Sequence, residues 1–232
     1  MRAEFDRRGF VVCAQAITPR DLGHLWRVVA SKLDAPAAKR RHGETYAVRN
    51  LLSDRPALVP LLASLGIDGI AESALGVAVE AVDATFFDKN AGANWKVPSH
   101  QDVIMPAVVA PAGSPTFVRF GATYAEPPAQ VLRSLVAIRI HFDDCSPENG
   151  ALSVVPGSHH RRMEAADLAG LGPDAFVVCP CHAGDLLVMS PLLVHRSSPA
   201  TQPNHRRVLH AVYMPKLAIG ARGPGVSDVS NT

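Results

Sequence analysis

The chain has 232 residues, 47% of them hydrophobic and 19% charged, which is enough apolar content to bury a full core, and a single domain spanning residues 1–232 is expected. A formal net charge of +2 is close to neutral, and no basic block, aromatic-basic interleaving or long charge run marks a nucleic-acid or membrane surface, which leaves a small molecule as the expected partner. The N-terminal Met1-Arg2-Ala3-Glu4-Phe5-Asp6-Arg7-Arg8 lacks the apolar core of a signal peptide and no apolar run approaches membrane-spanning length, so a cytoplasmic location is expected, as a monomer or weak homodimer.

In chain order, Gly9-Phe10-Val11-Val12-Cys13 predicts a short strand. Thr18 then predicts an N-cap, Pro19 a first helical position and Asp21 an acidic first turn, with Leu22, Leu25, Trp26, Val29 and Leu33 on one buried face. Ala35 to Tyr46, rich in Lys, Arg and small residues, predicts a solvent-facing connection. Two short helices between Pro56 and Leu75, broken at Gly66, read as scaffold. From Val77 the period changes to two, and Val79, Ala81, Asp83, Thr85 and Phe87 share one face of a strand running toward Lys89. A loop carrying Trp95 follows.

His100 and Asp102, two residues apart on a strand or its exit, point the same way, so an imidazole nitrogen and a carboxylate oxygen can meet at one ion. A later histidine, His195, ends a short apolar run after the Ser190-Pro191 break and completes a set of two imidazoles and one carboxylate, the facial arrangement that non-haem iron enzymes use. The ordinary reading of a short His-x-Asp is chance. Residues 106–130, with five prolines and two glycines, predict a long irregular insertion, and its place beside the ligand pair makes it an expected active-site lid. Strand character returns at Leu132 to Phe142. Cys13, Cys145, Cys179 and Cys181 read as reduced thiols; Cys179-Pro180-Cys181-His182 crowds soft ligands together without a second cluster to complete a site.

Phe87-x-Lys89, His100-Gln101-Asp102, the run from Glu148-Asn149-Gly150-Ala151-Leu152 to Pro156-Gly157-Ser158-His159, and His195-x-Ser197 followed by Arg206 together resemble the phytanoyl-CoA dioxygenase family, from about Phe10 to Tyr213. The resemblance implies a mainly β chain with flanking helices, folded as a double-stranded β-helix or jelly roll. It also implies Fe(II) held by His100, Asp102 and His195, 2-oxoglutarate as cosubstrate and O2 as oxidant. The implied reaction is oxidation, chiefly hydroxylation, of an unactivated C–H bond of a small molecule, with release of succinate and CO2. Halogenating relatives replace the metal carboxylate with a small residue, and this chain keeps Asp102.

In the family it resembles, an arginine at about the spacing of Arg206 anchors the distal carboxylate of 2-oxoglutarate, and a residue placed like Ser197 assists. A guanidinium suits that carboxylate because it is planar and always charged. Strand alternation sends neighbouring Arg207 to the other face. Arg139, inside an apolar strand, needs an anion, with three readings open: the cosubstrate, a substrate carboxylate, or a structural pair with Asp143 or Asp144. His141 shares its face and is expected to line the same cavity. Thr85 is expected to touch the cosubstrate, Trp95 to pack over the pocket mouth, and Gln101 to face away from iron or else meet substrate. His159 reads as structural. Two other classes stay open: a zinc hydrolase, which would want a general base beside the metal, and a non-catalytic jelly-roll binding protein, which would have no use for Arg206 and Ser197.

Overall fold

The computed structural model describes residues 1–31, 33, 38–54, 57–119 and 121–216; the remainder of the chain, including residues 35–37 of the expected connection, residue 56 at the start of the stretch read as scaffold helices and residue 120 of the expected lid, lies outside that set. Two facing antiparallel sheets build the core of the molecule. The larger runs in the order Phe10–Cys13, Leu186–Met189, Val136–His141, Arg206–Pro215, Val79–Lys89, Glu44–Val48, Lys39–Arg41, and the smaller in the order Val177–Cys179, Leu152–Val154, His195–Ser197, Val97–His100. Ala137, Leu187 and Met189 of the larger sheet pack with Leu152, Val154 and Leu193 from the side of the smaller one, so the sheets face each other as a double-stranded β-helix.

The other face of the larger sheet is covered by helices. Ala84, Phe86, Ile138, Ile140, Leu209 and Ala211 bury there against Leu22, Leu25 and Val29 of the Pro19–Ala30 helix and against Leu58, Leu62 and Ile67 from the two helices that follow. Each of the larger side chains removed from water contributes roughly 1.5–3 kcal/mol, the alanines less. Thr18 caps the first of these helices, its Oγ1 accepting from the Asp21 N–H at 3.2 Å, and Gly66 separates the other two with a left-handed φ of 75°. Period-two alternation then decides what turns inward. With Ile138 and Ile140 committed to the helices, Arg139 and His141 point toward the smaller sheet.

Two expectations need correction. Residues 39–41 and 44–48, which overlap the stretch Ala35 to Tyr46 read as a connection, form a hairpin at the edge of the larger sheet, because Thr45, Tyr46 and Val48 favour a strand that pairs with Phe86 and Phe87. The described part of residues 106–130 is not irregular throughout. Met105–Pro106, Ala122–Ala125 and Thr116–Arg119 form a separate three-stranded sheet, and the short helix Ala129–Arg133 occupies what was read as the start of the next strand. The prolines and glycines punctuate its turns, with Gly113 and Gly121 at positive φ, instead of abolishing strand structure between them. Among the described residues no single helix is long and apolar enough to cross a membrane.

Candidate active site

His100 ends the Val97–His100 strand and His195 begins the His195–Ser197 strand, and antiparallel pairing puts them directly opposite. Asp102 lies beyond the strand end, where its backbone N–H donates to the Pro191 carbonyl at 2.8 Å. Nε2 of His100 is 3.5 Å from Asp102 Oδ1 and Nε2 of His195 is 3.8 Å from Oδ2, and one donor atom from each residue lies within 4.8 Å of the others. Among the described residues this is the one group of side chains spaced to hold a metal ion. Cys179, Cys181 and His182 do not form a second one, because their strand and turn spread the donors apart.

The backbone selects the tautomers. His100 Nδ1 donates to the Pro98 carbonyl at 2.8 Å and His195 Nδ1 to the Leu193 carbonyl at 2.9 Å, and since a carbonyl only accepts, each Nε2 is left with a lone pair facing Asp102. Burial pushes the His195 imidazole down to about 4, a state ready to ligate, against the opposing pull of Asp102. At His100 burial also acts downward, but the Asp102 hydrogen bond and charge outweigh it and lift the imidazole above its ordinary value. Burial of Asp102 itself works to raise its carboxyl, yet the charges of His195 and His100 hold it well below the carboxylate range.

A cavity of about 480 Å³ opens beside these ligands. One wall is strongly cationic. Arg206 is 4% exposed, with Nη1 donating to the Gly150 carbonyl at 2.5 Å and Nε buried without a partner. Lys89, its cross-strand neighbour, is fully buried and donates from Nζ to Ser197 Oγ and to the Ser198 carbonyl, both at 2.8 Å. Burial, helped by the Arg206 charge, brings that ammonium down to about 7. Arg139 lies nearby, also with a buried orphan Nε, and its Nη1 is 3.4 Å from His210 Nδ1. Burial, helped by Arg206, pushes its guanidinium down to about 10.

The structural pairing for Arg139 is absent. Asp143 is taken by Arg207, with Nε and Nη2 reaching its two oxygens at 2.8 and 2.5 Å, and Asp144 accepts from the Ala183 N–H at 2.9 Å. Arg207 therefore occupies the outer face, its guanidinium 4.4 Å from the Trp26 ring, while Arg206 faces inward. Thr85 and Trp95 both line the cavity, Trp95 in an edge contact with Tyr46 at 5.4 Å.

His141 does not line it. It lies deeper, 3.4 Å from the Asp185 carbonyl, because the cavity floor closes at Arg139 one alternate position earlier. Gln101 turns its amide onto backbone, donating to the carbonyls of Arg161 and Leu192 and accepting from the Met163 N–H at 2.8 Å, which fixes the segment between the two ligands. His159 is buried next to Phe5, away from the triad. Sequence reasoning did not assign Asp83, Arg49, Lys96, Arg119, Tyr124 or His210 to the cavity, nor Lys89 to the Ser197 hydroxyl; the strand phase shared with Thr85 carried the signal for Asp83, and cross-strand pairing with Thr85 accounts for His210.

A double-stranded β-helix with a His-Asp-His ligand set at the mouth and a buried cationic wall defines a class of metal-dependent oxygenase-like folds. The sequence model of the phytanoyl-CoA dioxygenase (PhyH) family matches residues 5–208, and the chain belongs to that family. No curated protein sequence matches it significantly. Among solved structures it is similar to AviO1 from Streptomyces viridochromogenes Tue57, with a TM-score of 0.69 and 23% identity over 97% of this chain and 98% of that one. It is also similar to the non-heme alpha-ketoglutarate-dependent carbocyclase SnoK from nogalamycin biosynthesis, with a TM-score of 0.70 and 21% identity over 92% and 82%. A third is EctD from S. alaskensis, solved with 2-oxoglutarate and 5-hydroxyectoine, with a TM-score of 0.71 and 18% identity over 92% and 74%. At these identities the likeness establishes the fold.

Proposed function

We propose that the chain is an Fe(II)- and 2-oxoglutarate-dependent dioxygenase that hydroxylates an unactivated C–H bond of a small molecule. The observation that carries this reading is the juxtaposition, in one cavity, of the His100-Asp102-His195 donor set with the buried and incompletely satisfied guanidinium of Arg206. Two imidazoles and a carboxylate suit a divalent iron and leave one face of it open. A buried arginine with an orphan Nε, next to Lys89 and Ser197, suits the distal carboxylate of a dicarboxylate cosubstrate. Family membership and the 2-oxoglutarate bound in EctD support the same assignment.

His100, Asp102 and His195 would hold the iron, Arg206 and Ser197 the far end of 2-oxoglutarate, with Lys89 orienting the Ser197 hydroxyl and Thr85 and Arg139 flanking the chain between. Iron with 2-oxoglutarate supplies the oxidising power, consuming O2 and releasing succinate and CO2 as one oxygen atom enters the substrate. The residues of this chain fix the geometry. The two Nδ1 bonds hold both imidazoles in their ligating tautomer, and the Asp102–Pro191 backbone bond sets the carboxylate between them. Asp102 fills the position that a halide would need, which favours hydroxylation. The three-stranded sheet over residues 105–125 places Arg119 and Tyr124 on the cavity wall, which supports its reading as a lid that orders over substrate and excludes water.

The test is succinate release from 2-oxoglutarate by the iron-loaded protein, compared with a zinc-loaded one. Iron-dependent release that disappears in His195→Ala is expected; release of neither succinate nor CO2 under any loading would leave a binding protein or hydrolase.

A further inference from the structure

Thr85, His210 and Arg139 form one rung of the larger sheet. His210 pairs with Thr85 on one side and with Arg139 on the other, and residues paired across antiparallel strands share a face, so all three line the cavity. Asp102 acts electrostatically on Arg139, and both Asp102 and His195 act on His210, which sets this rung across from the metal ligands. Arg206 belongs to another rung, opposite Lys89 and about 13 Å along the strand from His210.

Arg139 is 7% exposed, and its Nε is buried without a partner. Its hydrogen bond among the described residues runs from Nη1 to His210 Nδ1 at 3.4 Å, too long to satisfy a guanidinium. A guanidinium only donates, so His210 Nδ1 is the acceptor and the ring proton sits on Nε2, which meets no acceptor among the described residues. Two N–H groups on neighbouring strands, Arg139 Nε and His210 Nε2, therefore lack acceptors in the cavity wall. At the mouth Arg49 is already engaged by Tyr124 and Asp83. Arg139 has no such partner, because Asp143 and Asp144 are taken elsewhere.

With iron and cosubstrate bound, the two charges of the metal and that of Arg206 are matched by Asp102 and the two carboxylates of 2-oxoglutarate, and Lys89 adds only to the positive side. Arg139 is then a buried charge with no counter-ion, a costly state unless an anion meets it. Val103, Ile104, Leu135 and Val212 line the same cavity and offer an apolar surface beside that anion.

We propose that Arg139 and His210 form a second carboxylate clamp, across from the metal and separate from the Arg206 anchor, and that it takes the carboxylate of a substrate with an apolar or aromatic body. The metal-end carboxylate of 2-oxoglutarate is the other source of the same chemistry, and the charge balance favours the substrate. The inference deepens the oxygenase reading above and rests on it for that balance.

The test uses the full chain with Fe(II) under anaerobic conditions, followed by calorimetry and ligand-observed NMR. 2-Oxoglutarate is titrated first, and acetate, benzoate and phenylacetate, each beside its amide, are titrated into the resulting complex. At least one acid is expected to bind, with its amide weaker by roughly 10-fold or more, the loss of a charge-assisted hydrogen bond. Arg139→Gln and His210→Phe are expected to weaken that acid by a similar factor, with Arg139→Lys, which keeps the charge without the Nε donor, in between. Melting curves check that the variants are folded, and the acid-to-amide ratio tests the wild-type chain whatever a variant does. Weakened 2-oxoglutarate binding in Arg139→Gln, with the acids unbound or unaffected, would give the clamp to the cosubstrate and overturn the substrate assignment. No effect of Arg139→Gln on either ligand, or amides bound as tightly as acids, would overturn the clamp itself. Acid binding that is lost in Arg139→Gln, in a chain that binds no 2-oxoglutarate and releases no succinate, would keep the clamp and overturn the oxygenase reading instead.

Discussion

His195 stands directly opposite His100 across one antiparallel pairing, and their rings lie 4.1 Å apart. Each donates through Nδ1 to the carbonyl two residues before it. The spacing of the two imidazole donors is thus set by backbone register, with Asp102 held separately by its bond to Pro191. Removing a ligand side chain should therefore leave the scaffold in place. His100→Ala, Asp102→Ala and His195→Ala are each expected to lower iron affinity by at least about 100-fold, more than the loss of an outer-shell partner. Metal content after dialysis and far-ultraviolet circular dichroism check this; a ligand variant that keeps iron and turnover would remove the triad assignment.

Proton competition for the metal should centre on His100. Its imidazole is raised above the ordinary value, so as pH falls it is the first ligand to protonate, while His195 stays neutral down to about 4. Iron affinity is expected to fall as pH drops through the His100 transition, which lies above the ordinary imidazole value, with release of one proton on binding there. Calorimetry in buffers of different ionisation enthalpy counts that proton. In His100→Asn the proton release in this range should vanish along with much of the affinity.

Arg206 and Arg207 should separate cleanly. Arg206→Ala is expected to raise the 2-oxoglutarate concentration for half-maximal rate by roughly 10- to 100-fold, the loss of a buried charged hydrogen bond. Arg207→Ala should leave that concentration unchanged and lower stability by about 1 kcal/mol or less, since its pair with Asp143 is partly solvent-exposed. The reverse pattern would mean that the cosubstrate meets the outer face.

Asp83 gives a pH signature of its own. Its folded-state value is raised from 3.8 to about 6, so the carboxyl favours the fold while protonated, and that contribution is lost as pH rises through about 6. Asp83→Asn should match the wild type in stability below pH 4 and exceed it by up to about 3 kcal/mol at pH 7, one pKa unit being about 1.4 kcal/mol. Denaturant unfolding at the two pH values measures the difference; equal stability at both would mean that the carboxyl is paired in solution.

Shortening the Thr116–Arg119 and Ala122–Ala125 hairpin should leave iron and 2-oxoglutarate binding nearly unchanged, because no residue of that sheet belongs to the triad or the cationic wall. It should weaken substrate binding and raise succinate formed per product, since Arg119 and Tyr124 would be gone from the wall. Hydrogen exchange on the hairpin with and without substrate, together with the succinate-to-product ratio, decides it: unchanged exchange with fully coupled turnover would make the segment an ordinary connector.

Local spacing alone determined a good deal of this protein. The i, i+2 step from His100 to Asp102, the alternation that sends Arg206 inward and Arg207 outward, the phase that puts Thr85 on the cavity face, and the Thr18 cap all follow from the geometry of one strand or one helix turn. The double-stranded β-helix was implied by the resemblance of the motifs to their family, and the many short apolar runs fit it. Only the tertiary structure decided what those faces meet. Burial of Lys89 against Ser197, the exclusion of His141 from a cavity that Arg139 enters, the allocation of Asp143 to Arg207, and the convergence of Asp83, Arg49 and Arg119 all join residues far apart in the chain. A period of two says which side of a sheet a residue occupies, but the partner across the cavity depends on which strands pair and in what register, and that is fixed by burial summed over the whole core.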